Sequence, residues 1–187
     1  DIYLPRVLIY KFMLYTNLKC SWYKPNTAET NINKHSYTQF KLNNERIGLS
    51  TVKLIDMDEF QAILVKTLPY FFPKIYLENF DFTFSSIRSI WNNKSPKVLI
   101  TANAFLGNEH FKILAAFLNQ EKGTKLVGAQ HGGNYGSARL NTNEVIEESA
   151  SDTFWTWGWN NATVDSRQIS NPKLSFLSKK AKSVNAS

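Results

Sequence analysis

KVLITANAFLGNEHFKILAAFLNQEKGTKLVGAQ, residues 97–130, decides the fold. Lys97-Val98-Leu99-Ile100-Thr101 is a short apolar run directly after Pro96, the pattern of a buried strand. Asn108 is placed to cap a helix, and Glu109 puts a negative charge in the first turn, where the helix dipole favours it. Phe111, Leu114, Ala115 and Leu118 then recur at i, i+3, i+4 and i+7, one apolar face at helical spacing. Gly123 stands where a left-handed C-terminal residue belongs. Lys125 to Gln130 reads as the next strand. Strand, helix and strand within 34 residues is the size of a βαβ unit, which places its two strands parallel.

The pattern extends in both directions. Asn141 caps a short helix through Val145, Ile146 and Ala150, with Glu144, Glu147 and Glu148 along one face. Ser151-Asp152 breaks that helix. Thr153 to Trp159 reads as a third strand with Trp155, Trp157 and Trp159 on one parity. Upstream, Asp56 is the expected N-cap of a helix carrying Phe60, Ile63, Leu64 and Leu68 and stopping near Pro69. An apolar segment from Ile75 to Phe84 leads to a short helix around Ser86 to Trp91. In the first fifty residues, Ile2-Tyr3-Leu4 and Val7-Leu8-Ile9-Tyr10 fit strand or helix equally, while Pro25-Asn26-Thr27 and Asn31-Ile32-Asn33 read as loop. The expected class is α/β, a Rossmann-like parallel sheet flanked by helices. Residues 1–50 form an ill-defined part of the same lobe, 51–160 the Rossmann-like domain, and 161–187 a basic tail or linker.

Composition narrows the function. A 187-residue chain with 43% hydrophobic and 14% aromatic residues has ample material for a core, which excludes disorder as the default. The net charge of +7 suits an anionic partner, namely nucleic acid, an acidic membrane surface or a phosphorylated substrate. The excess is dispersed and not interleaved with aromatics, so no nucleic-acid partner is expected. The lone cysteine, Cys20, excludes an intrachain disulfide and a cysteine-rich zinc site, and no carboxylate cluster or H-E-x-x-H points to a metal. Neither a membrane-spanning run nor a signal peptide is legible, and the chain opens at Asp1 in mid-pattern, as a fragment would.

Parallel strands share one carboxyl edge, and ligands of open α/β sheets bind outside it. That edge carries Ala102-Asn103, then Gln130-His131-Gly132-Gly133-Asn134-Tyr135-Gly136, then Gly158-Trp159. The glycines permit a sharp turn and close approach of backbone N–H groups to an anion, although neither the dinucleotide fingerprint nor a Walker A sequence is present. His131 is the leading candidate for chemistry. As neutral imidazole it removes a proton from an acceptor hydroxyl, as a cation it contacts phosphate, and in the bland alternative it merely fixes the turn. His35 and His110 read as structural or solvated. Glu147 and Glu148 either bring a carboxylate to the site or belong to a solvated face. The tryptophans either stack on a sugar or base or pack in the core. Asn103 either bonds a ligand or stabilises a turn.

QHGGNYG at 130–136, followed by Glu147, Ser151-Asp152 and Trp157-Gly158-Trp159, resembles the LIC12162-type transferases of bacterial surface-polysaccharide loci, over roughly residues 96–160. These look like distant relatives of two-lobed (GT-B-like) enzymes such as capsule Kdo transferases and CDP-glycerol glycerophosphotransferases. The resemblance implies an acceptor-side lobe whose His131 faces the cleft, with Glu147 as a second catalytic group. Asn103, Gln130, Gly132, Gly133, Tyr135 and Trp159 are then expected around the substrate. No cofactor is implied beyond a nucleotide-activated sugar or polyol donor. The acceptor is a glycan or lipid-linked glycan, and the setting is cytoplasmic with peripheral membrane association. A non-catalytic glycan- or nucleotide-binding module is the rival reading, and a basic RNA-binding protein the more distant one.

Overall fold

The structure is a computed structural model that describes residues 6–17, 19–20, 46, 48, 56–160, 165–171, 174–175 and 177–178. The loops expected around Pro25 and Asn31, and His35, lie outside these residues. In chain order the elements are α1 (Arg6–Tyr15), α2 (Glu59–Phe71), α3 (Lys74–Leu77), α4 (Phe80–Trp91), β1 (Val98–Thr101), α5 (Ala104–Gly107), α6 (Glu109–Lys122), β2 (Lys125–Ala129), α7 (Thr142–Ser149), β3 (Thr153–Thr156) and β4 (Ser166–Gln168). The chain divides into two compact units, one of residues 24–93 and one of residues 1–23 with 94–187.

In the larger unit the four strands pair in the order β1-β2-β3-β4, all parallel. The α/β, Rossmann-like class is therefore realised, with helices flanking the sheet. Register is pinned by Asp152, whose Oδ2 accepts the Leu126 N–H at 2.8 Å while its own N–H donates to the Leu126 carbonyl at 2.9 Å. Gly128 lets β2 and β3 approach, since a Cβ there would lie 2.5 Å from Ser151 Oγ and 2.6 Å from the Phe154 ring. Asn108 caps α6 by accepting the Phe111 N–H at 2.9 Å, and Gly123 ends it at φ 66°. The expected face of α6 is buried, together with Ile113 and Phe117 on adjoining faces. Leu114 and Leu118 are 1% and 0% exposed. Burying one such side chain stabilises by roughly 1.5–3 kcal/mol. Phe105 from α5, Phe111 and Ala115 from α6 and Leu126 from β2 form a cluster completed by Leu99, Ala104 and Ala150.

One sequence expectation for this unit needs correction. The third strand stops at Thr156, because the chain turns through Gly158 at φ 93°, so Trp159 leaves the tryptophan parity. Phe154 and Thr156 supply the buried face of β3, and the tryptophans are half-buried. Val7 to Tyr10 is helical, within α1. A fourth strand, Ser166–Gln168, lies in the segment read as tail or linker.

In the smaller unit the cap of α2 is Asp58 and not Asp56. Asp58 Oδ1 accepts the Gln61 N–H at 2.7 Å and Gln61 Oε1 accepts the Asp58 N–H at 3.2 Å, a reciprocal capping box. The helix also continues through Pro69 to Phe71. A proline there removes one N–H near the helix end, and Arg46 satisfies the carbonyls of that end, donating from Nη1 to Pro69 O and to Phe72 O at 2.8 Å. The same guanidinium makes a buried bidentate pair with Glu78, Nε to Oε1 at 2.7 Å. α4 begins at Phe80, ahead of the expected Ser86. No helix among the described residues is long and apolar enough to cross a membrane.

Candidate active site

The carboxyl edge of the sheet gathers the loops after β1, β2 and β3. Gln130 organises the last two. Its N–H donates to the Trp155 carbonyl at 2.8 Å, prolonging the β2–β3 ladder by one residue. Its side-chain Oε1 accepts the Trp157 N–H at 2.7 Å and the Trp159 indole N–H at 2.9 Å, while Nε2 donates to the Gly132 carbonyl at 2.7 Å. The buried amide thus ties the histidine-bearing loop to the Trp157-Gly158-Trp159 turn.

Of the three loop glycines, Gly136 alone has a positive φ, 70°, and the Trp159 ring covers it so closely that a Cβ would meet ring carbons at 2.5 Å. Its N–H donates to Glu144 Oε2 at 2.9 Å. Gly132 and Gly133 carry no such demand, and a Cβ on Gly133 would meet nothing within 4 Å. The fold therefore explains Gly136 and leaves the other two open to close approach by a ligand.

His131 leaves β2 with its side chain 30% exposed, and α7 brings Glu147, 1% exposed, beneath it. Asn141 starts α7 by accepting the N–H groups of Asn143 at 3.2 Å and Glu144 at 3.4 Å, and Ser151 Oγ donates to the Glu147 carbonyl at 2.6 Å. These bonds fix the turn that carries the carboxylate. Glu147 Oε1 lies 3.1 Å from His131 Nε2. Tyr135, also buried, donates its hydroxyl proton to Glu147 Oε2 at 2.6 Å, and its oxygen stands 2.8 Å from His131 Nε2. The tyrosine ring stacks on Phe154 at 6.1 Å between centroids and meets the imidazole edge-on at 5.4 Å.

Burial raises the Glu147 pKa above the usual carboxylate range, opposed by the Tyr135 hydrogen bond and the charge of His131. Burial also raises the Tyr135 phenol, and its bond to Glu147 adds to this, so the hydroxyl keeps its proton. An imidazole backed by a buried carboxylate can take up a proton from one side while its cationic form is stabilised from the other.

The structure therefore brings His131, Glu147 and Tyr135 into one hydrogen-bonded cluster, with Gln130, Gly132 and Trp159 in an adjoining network. Glu147 and Glu148 do not form a solvated face, since they are 1% and 8% exposed. Asn103 stands exposed at the start of α5 on the same edge, and its side chain makes no hydrogen bond among the described residues. His110 is buried in the first turn of α6. The union of Tyr135 with His131 and Glu147 was missed in the sequence. The sequence carries no signal of it, because both His131 and Tyr135 stand in a loop, where spacing fixes no contact. Among the described residues no group of three or more His, Cys, Asp or Glu side chains is arranged to hold a metal ion.

No curated protein and no solved structure matches this chain. The model of one family, described as LIC12162 family transferase, matches residues 3–187. The cluster that unites His131 with Glu147 thus sits within a chain that belongs to the LIC12162 transferase family.

Proposed function

We propose that this transferase moves a glycosyl or polyol-phosphate group from a nucleotide-activated donor to a hydroxyl of a glycan or lipid-linked acceptor in surface-polysaccharide synthesis, and that His131 is its general base. Neutral imidazole takes the acceptor hydroxyl proton as that oxygen bonds to the sugar's anomeric carbon or to the donor's phosphorus. The bond from that centre to the departing nucleotide phosphate breaks, and the nucleotide leaves with its electron pair. Glu147 stabilises the imidazolium so formed. The observation that carries this reading is the partly exposed imidazole backed by a buried carboxylate at the carboxyl edge of a parallel sheet.

Two further features support a phosphorylated donor. The N–H groups of His131 through Tyr135 donate to no acceptor among the described residues. Gly132 and Gly133 leave this backbone accessible. In this reading the chain is the acceptor-side lobe of a two-lobed GT-B-like enzyme, acting in the cytoplasm at the membrane surface. The test is to incubate the intact protein with a panel of nucleotide-activated sugars and polyols, with and without lipid-linked glycan acceptors, and to measure nucleotide release. Acceptor-dependent release from one donor is the expected result. Absence of release across the panel, with the protein folded, overturns the reading.

A further inference from the structure

We propose that Tyr135 is a positioning residue that, with Glu147, holds His131 in the tautomer protonated at Nε2, leaving Nδ1 as the nitrogen that meets the substrate. The proposal deepens the base assignment above and rests on it.

Tyr135 has a single hydroxyl proton, which it donates to Glu147 Oε2 at 2.6 Å, the short length of a charge-assisted bond. Its oxygen is then an acceptor toward His131 Nε2 at 2.8 Å. Glu147 Oε1, 3.1 Å from the same nitrogen, is a second acceptor. A ring nitrogen facing two acceptors carries the proton, and neutral imidazole has one N–H to give. Nδ1 is therefore bare, and it has no hydrogen-bond partner among the described residues. The opposite tautomer would need the Tyr135 proton at Nε2, which deprives Glu147 of its donor and sets two lone pairs against each other across 3.1 Å. The phenol is not free to reorient, because its ring is buried and stacked on Phe154. Glu144, on the same face of α7, bonds to Gly136 N–H, and its charge opposes ionisation of Tyr135.

The ring then works across its two nitrogens. Nδ1 takes the acceptor proton while Nε2–H stays on Glu147 and Tyr135. A tyrosine in this role touches no substrate, so its loss lowers kcat and leaves KM in place.

The test uses the intact protein carrying ¹⁵N-labelled histidine, with the His131 ring signals assigned by their loss in His131→Gln. Long-range ¹H–¹⁵N correlation above the ring's titration is expected to show Nε2 protonated and Nδ1 bare. In Tyr135→Phe, which keeps the ring on Phe154, a mixture of tautomers is expected, with kcat down on the order of tenfold or more and KM unchanged. A wild-type ring protonated at Nδ1, as would follow if Glu147 held the proton, overturns the proposal, and that spectrum decides it even if the phenylalanine variant misfolds. An unchanged tautomer ratio in Tyr135→Phe, or a raised KM with kcat kept, also overturns it. The spectrum reads the ring whether or not His131 takes part in transfer, so the base assignment and the tautomer assignment fail in different experiments.

Discussion

Glu147 Oε1 lies 3.1 Å from His131 Nε2, a contact across sixteen residues in which the carboxylate is buried and the imidazole is 30% exposed. The buried partner cannot meet a ligand directly, so it acts through the ring. Everything proposed for the site follows from that asymmetry.

Glu147→Gln tests it in two ways. Transfer should fall roughly 10²-fold, because the amide no longer stabilises the imidazolium. Stability should respond with a definite sign. Burial raises the folded-state pKa of Glu147, so the folded chain holds this proton over a window where the unfolded chain has lost it. That contribution is complete below the ordinary glutamate value of about 4.3 and is lost as pH rises through the folded value. Urea unfolding should therefore show wild type losing stability relative to Glu147→Gln as pH rises over the range above about 4.3, the ordinary glutamate value. A difference flat across that range contradicts the assignment.

The loop glycines should separate in behaviour. Gly136→Ala places a methyl group at φ 70° against the Trp159 ring and should destabilise by more than about 1 kcal/mol. Gly133→Ala meets nothing within 4 Å and should leave unfolding within about 0.5 kcal/mol of wild type. Denaturation of both variants checks the contrast, and lost transfer in a fully stable Gly133→Ala would mark close approach of a ligand there.

Gln130→Leu should destabilise by about 1–3 kcal/mol, since the Trp157 N–H and the Trp159 indole N–H lose their shared acceptor. Unfolding measurements read this, and tryptophan fluorescence should shift as the turn loosens. A variant as stable as wild type would mean that the amide does not tie the two loops.

What was legible in the sequence is what local chemistry dictates. Asn108, the Phe111-Leu114-Ala115-Leu118 face and Gly123 each specify α6 on their own, and all agree. The parallel pairing of β1 with β2 follows from the length between them. Glu147 was less legible because its neighbours mislead. Glu144 and Glu148 share its helix and suggest a wet face, and only the fold shows that Tyr135 and His131 close over it. Trp159 misleads in the same way. Alternation extends the strand to it, yet Gly158 turns the chain first and sends the indole onto Gly136. Asp56 likewise has the chemistry of a cap, but Asp58 has Gln61 three residues on to complete the box.

The most direct test of the central claim is the transfer rate of His131→Ala in the intact protein, measured at saturating donor and acceptor. The account predicts a fall of about 10²–10⁴-fold in kcat, with the fold retained and donor binding still measurable. Near-normal transfer by that variant would contradict it.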